Sequence, residues 1–185
     1  YTEPCYVSYP AEIRMAHGVP VPVTTRVENE FAVEPEDIEK AITPRTKAIL
    51  LNFPCNPTGA VMSAEKLRAV AELAVKHNLA VLTDEIYSEL NYDGNHVSIA
   101  SLPGMKERTI FLHGFSKAFA MTGWRVGYVC APAPMIAAMM IKSIFPACGL
   151  LVAFGFGQGT GKHPSLLRAG SSRGGQRGPS GSEQR

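Results

Sequence analysis

Apolar positions along this chain recur with two different periods, and the alternation between them sets an order of elements. "PAEIRMAHG" has Pro10 at a first turn and Gly18 after the last one, which predicts a short helix closed by the glycine. Val21–Val27, "VPVTTRV", is β-branched and predicts a strand, and Pro22 moves it to an edge because it lacks an N–H for the ladder. "EPEDIEKAI" carries its acids early and Lys40 late, the charge order that suits the dipole of a short helix. "TKAILLNF" follows as a mostly apolar strand, stopped by the turn-rich "PCNPTG".

A helical period then takes over. Ser63 can cap it, Glu65 sits in its first turn, and Leu67, Val70, Ala71, Ala74 and Val75 form one apolar stripe. Asn78 is a candidate left-handed stop. "LAVLTDE" is apolar on both faces, as a buried parallel strand is. "RTIFLHGF" and "WRVGYVCA" predict two more strands, and "PMIAAMMIKS" opens another helix. Strand, helix, strand in this order predicts an α/β fold with a largely parallel sheet and right-handed crossovers.

From Gly149 onward the pattern fails. Ten of the 17 glycines fall there, with a single acid, Glu183, so "GSSRGGQRGPSGSEQR" cannot bury enough apolar surface to order itself. Residues 1–145 are therefore expected to fold and 146–185 to form a disordered tail.

Composition narrows the function only a little. A hydrophobic fraction of 45% and a charged fraction of 18% are those of an ordinary globular chain of 185 residues. The net charge of +2 gives no reason to expect nucleic acid or an anionic membrane as partner. No apolar run approaches the about 20 residues that span a bilayer, and "YTEPCYVSYP" lacks the pattern of a signal peptide. The first residue is not Met, so Tyr1 is not expected to be the native start. Cys5, Cys55, Cys130 and Cys148 have neither paired nor metal-ligand spacing and read as reduced cytoplasmic thiols, with no metal site expected.

Chemistry concentrates just after the predicted strands, where open α/β sheets bind ligands. "NPTG", Asn56–Gly59, is a tight-turn signal, although an asparagine held by the next proline could aim its amide at a ligand. Asp84 leaves an apolar run and could either cap the next helix or hold a cationic nitrogen, with the Tyr87 phenol beside it. Lys117 lies among Phe115, Phe119 and Met121, which would desolvate its amine and favour the neutral nucleophile. The simpler possibility is a stem lying on apolar surface with its ammonium in water. Arg125 offers a planar fork for a phosphate or for a surface carboxylate. Singly, each residue has an ordinary structural reading.

Jointly they do not. An amide, an acid, a phenol, an amine able to form a Schiff base and a guanidinium are the fittings that pyridoxal 5'-phosphate needs. The order "NPTG … DEIY … SKAFAMTGWRVG" resembles the class I/II aminotransferases of the fold type I pyridoxal-phosphate enzymes, in their prokaryotic-type aspartate, alanine and aromatic branch, from Tyr1 to Ile141. The resemblance implies a three-layer α/β/α large domain, of which 1–145 would be the central part. It also implies transamination between an L-amino acid and a 2-oxo acid, with Lys117 as the internal-aldimine amine and proton shuttle. Asp84 would pair with the pyridine nitrogen, Asn56 and Tyr87 with the phenolic oxygen, and Ser116 and Arg125 with the phosphate. A homodimer in the cytoplasm is implied too.

Tyr9, in "YVSYP", matches a family aromatic only loosely, and a core tyrosine is the better expectation. Other departures are plain. The family's Gly-rich phosphate turn and ring-stacking aromatic should precede Tyr1, and nothing in 142–185 resembles the segment bearing its carboxylate-binding arginine. The tail is expected to come from a shifted reading frame or a misassigned coding sequence. His113 stands where the family often has Asn or Ser. A C–S β-lyase reaction on the same scaffold, or an inactive fragment, are the competing expectations.

Overall fold

The computed structural model describes residues 1–92, 94–142 and 150–155. Among these residues, seven strands and five α-helices follow one another. They are β1 (Thr2–Glu3), α1 (Tyr9–Met15), β2 (Val23–Thr24), α2 (Pro35–Ala41), β3 (Ala48–Asn52), α3 (Ala64–Lys76) and β4 (Ala80–Asp84). Then come β5 (Thr109–Gly114), α4 (Phe115–Ala118), β6 (Val126–Ala131), α5 (Ala133–Lys142) and β7 (Leu150–Gly155). The small β1–β2 pair is separate from a five-stranded sheet of order β3-β4-β5-β6-β7.

β3, β4 and β5 run parallel, β5 and β6 antiparallel, and β6 and β7 parallel. The sheet is thus mostly parallel, as expected, with one reversal. Its cause is the connection. The 115–125 segment holds only the four-residue α4 and a 3₁₀ turn at Thr122–Trp124, and a parallel partner needs a crossover of about a dozen residues or more. The chain turns back instead.

α3 is built as its sequence predicts. Ser63 Oγ accepts the Lys66 N–H at 3.3 Å, and Asn78 ends the turn with φ of 50°. Leu67, Val70, Ala71 and Ala74 are buried, but the expected fifth member Val75 is 44% exposed and Leu73 is buried in its place. α1 ends differently from expectation: His17 takes the left-handed backbone at φ 60°. Gly18 is needed for closeness, since a Cβ there would meet Ile13 Cγ2 at 2.9 Å.

The core gathers Ile49, Leu51 and Val81 of the sheet under Leu67, Val70 and Ala74 of α3, with Val33 and Ile38 beside them. Each such side chain removed from water contributes roughly 1.5–3 kcal/mol before entropy is counted. Register then sorts the faces. Leu51 lies beside Thr83 and Asn52 beside Asp84, so alternation sends Asp84 to the face opposite Thr83. A second cluster, Val129, Ala131 and Ile136, packs with Ile110 and Leu112.

Two expectations about the chain ends meet the structure unequally. Val21–Val27 pairs only through Val23 and Thr24. Leu150–Gly155, inside the segment expected to lack order, runs beside β6 as β7, because "LLVAFG" is an apolar run long enough to complete a ladder. The expected disorder of 156–185 lies outside the described residues.

Candidate functional site

β3 and β4 end side by side, and their last residues set the base of the site. Asn52 is 2% exposed, and its amide works in two directions. Nδ2 donates to the Asp84 carbonyl at 2.9 Å, and Oδ1 accepts the Asn56 N–H at 3.0 Å. One buried amide therefore fixes the "NPTG" turn against the end of β4. Gly59 closes that turn at φ 75°, a conformation that disfavours a Cβ, with its N–H on the Cys55 carbonyl at 2.8 Å. The turn is tight, as the first reading of this motif had it. It also aims Asn56 Nδ2 at the Tyr87 hydroxyl, 3.4 Å away.

Asp84 caps no helix, and both of its carboxylate oxygens are engaged. Oδ1 accepts the Ile86 N–H at 3.2 Å in a local turn, not a helix cap, since the next helical residues are the 3₁₀ turn Ser88–Leu90. Oδ2 accepts the Tyr9 hydroxyl at 2.7 Å. Tyr9 is buried, as a core tyrosine would be, and is joined to the site as well. Burial, with the Asp84 carboxylate beside it, pushes its phenol well above the ordinary pKa. It stays a donor.

Glu85, the next residue, faces the other way and is 2% exposed. Its oxygens are taken by Thr83 Oγ1 at 3.0 Å, Ser98 Oγ at 2.8 Å and His96 Nε2 at 2.5 Å. A cavity of about 410 Å³ opens beside these groups. Of the two adjoining carboxylates, only Asp84 lies on the side of the candidate residues.

β5 delivers the lysine. Gly114 ends the strand, α4 begins at once, and Lys117 Nζ hangs 5.7 Å above the centre of the Tyr87 ring. The expected desolvation by Phe115, Phe119 and Met121 is not met: Lys117 is exposed, and Phe119 is 62% exposed. Four helical residues are too few to wrap the aromatic rings around the amine, so Phe115 and Phe119 contact each other instead, at 5.4 Å. Thr122 ties the rest of the turn together. Its hydroxyl donates to the Ser116 carbonyl at 3.2 Å, and its own carbonyl accepts from Arg125 Nη1 at 3.2 Å. Ser116 and Arg125 thereby belong to one turn, with the guanidinium exposed and Arg125 in left-handed backbone at φ 51°.

His113 sits between these parts. Its Nδ1 accepts the Gly114 N–H at 2.8 Å, which leaves Nε2 as the protonated nitrogen, 3.0 Å from Ser88 Oγ. Burial holds its pKa below the ordinary value.

The structure thus brings Asn56, Asp84, Tyr87 and Lys117 to one end of β3, β4 and β5, with Ser116 and Arg125 on the adjoining turn. Asn52 and Ser88 were not anticipated. A polar Asn closing an apolar strand was the available signal for the first, and nothing local marks the second. Among the described residues no three His, Cys, Asp or Glu side chains gather as a metal site, and no helix is long and apolar enough to cross a membrane.

Comparison with known proteins identifies the family. The family model described as aminotransferase class I and II matches residues 1–147. A putative aminotransferase, YugH, of Bacillus subtilis is 54% identical over 138 residues, covering 75% of this chain and 36% of that protein. The aspartate aminotransferase of Pyrococcus abyssi is 49% identical over 145 residues, covering 78% and 37%. Among solved structures, an aromatic aminotransferase from Pyrococcus horikoshii superposes with a TM-score of 0.77 at 45% identity, over 80% of this chain and 40% of that one. The Thermus thermophilus aspartate aminotransferase with maleate gives 0.74 at 48% identity, over 77% and 37%. The chain spans little more than a third of the length of the curated relatives it matches.

Proposed function

This chain belongs to the class I and II aminotransferases, and on that footing we propose that it supplies the cofactor-binding centre of an enzyme that moves an amino group from an L-amino acid to a 2-oxo acid. The observation that carries the reading is the convergence of a carboxylate, an amide, a phenol and a primary amine at one sheet end. The donor set fits pyridoxal 5'-phosphate: an acceptor for a protonated ring nitrogen, two hydrogen-bonding groups together for a phenolic oxygen, and an exposed amine over the Tyr87 ring. When bound, that cofactor supplies an aldehyde for the amino nitrogen and a cationic ring that draws electrons from the adjoining Cα.

The chain's own residues do the rest. Asp84, fixed by Tyr9 and the Ile86 N–H, keeps its negative charge toward the ring nitrogen and so holds a proton there. Tyr87 and Asn56, already 3.4 Å apart, are the donors that stabilise a phenolate oxygen between them. Lys117 would be the covalent anchor and the base that holds and returns the proton of the substrate Cα. Ser116 and Arg125 bind the phosphate, where the guanidinium can make two parallel bonds.

We further read residues 1–145 as the central part of the large domain, a boundary that the family match ending at 147 supports, although Leu150–Gly155 beyond it adds β7 to the same sheet. A cytoplasmic homodimer is the matching assembly, supported by family membership and by the free thiols of Cys5, Cys55 and Cys130 among the described residues. The test is chemical. Mixing the protein with pyridoxal phosphate, reducing with borohydride and mapping the added mass should mark Lys117, and the mark should vanish in Lys117→Ala. Addition spread evenly over exposed lysines in both proteins would overturn the assignment.

A further inference from the structure

Two turns carry the groups that must meet over the cofactor, and the His113 ring hydrogen-bonds to a residue of each. The Tyr87 turn follows β4, and the Lys117 turn follows β5. Within the turns the backbone bonds are local, with Ser88 N–H on Glu85 O, Leu90 N–H on Tyr87 O and Met121 N–H on Phe115 O, and at their base Glu85 N–H reaches Leu112 O of β5. His113 bridges the gap. Its Nδ1 takes the Gly114 N–H at the start of the lysine turn, and its Nε2–H reaches Ser88 Oγ in the tyrosine turn. The ring is held flat against Phe111, 5.9 Å away at 9°, and against Tyr128, 5.2 Å away at 28°. Its two nitrogens therefore point where the two turns need them.

We propose that His113 is a positioning residue that sets the separation of Tyr87 from Lys117, and that it does so only in its neutral form. The proposal rests on the cofactor reading given above. The sign follows from donor chemistry. A protonated Nδ1 would carry its own hydrogen and could not accept the N–H of the adjoining Gly114, so the ring would lose the contact that orients it between the start of the lysine turn and Ser88. The groups facing the ring are Glu85 and Glu89 from the segment after β4, Asp84 from the end of β4, and Tyr128 from β6, with Lys117 one turn along in α4. The three carboxylates favour the cation, and burial opposes them more strongly. The neutral form prevails at neutral pH. An acid-side loss of geometry then has a defined chemical origin.

The test compares His113→Ala and His113→Asn with the unaltered full chain, between pH 5 and 8. Asparagine can accept the Gly114 N–H and cannot titrate. Borohydride trapping of pyridoxal phosphate on Lys117 should fall about fivefold in His113→Ala at pH 7.5, the effect of one lost hydrogen bond, and recover in His113→Asn. The ratio of trapping in the unaltered chain to that in His113→Asn should drop as pH falls below about 6.5, the ordinary lysine protonation cancelling in the ratio. A ratio flat with pH, or equal trapping in all three proteins, would overturn the proposal. A second measurement needs no cofactor: the amide resonances of Ser88 and Lys117 should shift with one common midpoint below about 6.5 in the unaltered chain and not in His113→Asn. If trapping at Lys117 fails in every protein, the cofactor reading falls. If the amides show no shared midpoint, the His113 proposal falls instead.

Discussion

Asn56, Asp84 and Tyr87 are held from beneath, whereas Lys117 and Arg125 are held mostly from within their own turn. The first group stands on buried supports. Asn52 pins the "NPTG" turn to β4, Tyr9 pins Asp84, and both supports are at most 6% exposed. The second group hangs on Thr122 and on the bridge from His113, and its large side chains Phe119 and Trp124 are 62% and 72% exposed. This difference matches the tasks. Groups that only complement charge gain from being preset, because no reorganisation is needed when the ligand arrives. A lysine that must attach, leave and return with a proton needs freedom to swing.

Breaking the firm half at its base should have the largest effect. Leu51 is 1% exposed, under α3 and one residue before Asn52. Leu51→Ala should cost about 2–5 kcal/mol of folding stability, read by urea unfolding, and should release the Asn56 and Asp84 turns with it. An equal loss from a truncation at Phe119 would dissolve the contrast between the two regions.

Within the firm half, charge can be removed while shape is kept. Asp84→Asn retains an oxygen for the Ile86 N–H or the Tyr9 hydroxyl but loses the negative charge toward the ring nitrogen. Pyridoxal phosphate affinity, followed by titration of its absorbance, should fall about ten- to a hundredfold, as for the loss of one charge-assisted hydrogen bond. Thermal unfolding of the cofactor-free protein should move far less than in Leu51→Ala.

Tyr9 supplies a test by alkali. Its phenol pKa is raised by burial and by Asp84, so above pH about 10 the unfolded chain releases a proton that the folded chain keeps. Stability from this residue is therefore complete below that pH and declines as pH rises beyond it. Tyr9→Phe should lose about 1 kcal/mol at pH 7, the worth of one hydrogen bond, and should show a shallower decline above pH about 10. Tyr1, raised to about 12 by its bond to Glu3, leaves part of the slope in place. A slope unchanged by the substitution would separate Tyr9 from Asp84.

How much of this was legible beforehand follows from distance along the chain. The existence of strands β3 to β6, the α3 cap and the order of the candidate residues were readable, because each depends on a few consecutive side chains. The Tyr9–Asp84 bond was not, since the two lie 75 positions apart and neither motif names the other. Asn52 was hidden for a related reason: its polarity was visible, but its two partners depend on the β3–β4 register. The reversal at β6 could have been read from connection length, and the exposure of Lys117 was one of two readings that its neighbours left open. Flanking phenylalanines imply burial only when the element carrying them is long enough to fold them inward.

That last point gives the smallest expected effect, and the sharpest one for the comparison. Phe119 touches Phe115 at 5.4 Å but has most of its surface in water. If the α4 turn is loosely held, Phe119→Ser should change folding stability by no more than about 0.5 kcal/mol. Lys117 is already exposed, so removing the ring should leave its rate of acylation by a small water-soluble ester unchanged in the cofactor-free protein. A marked increase in that rate would mean that Phe119 shields the amine in solution, and the turn would then belong with the firm half of the site.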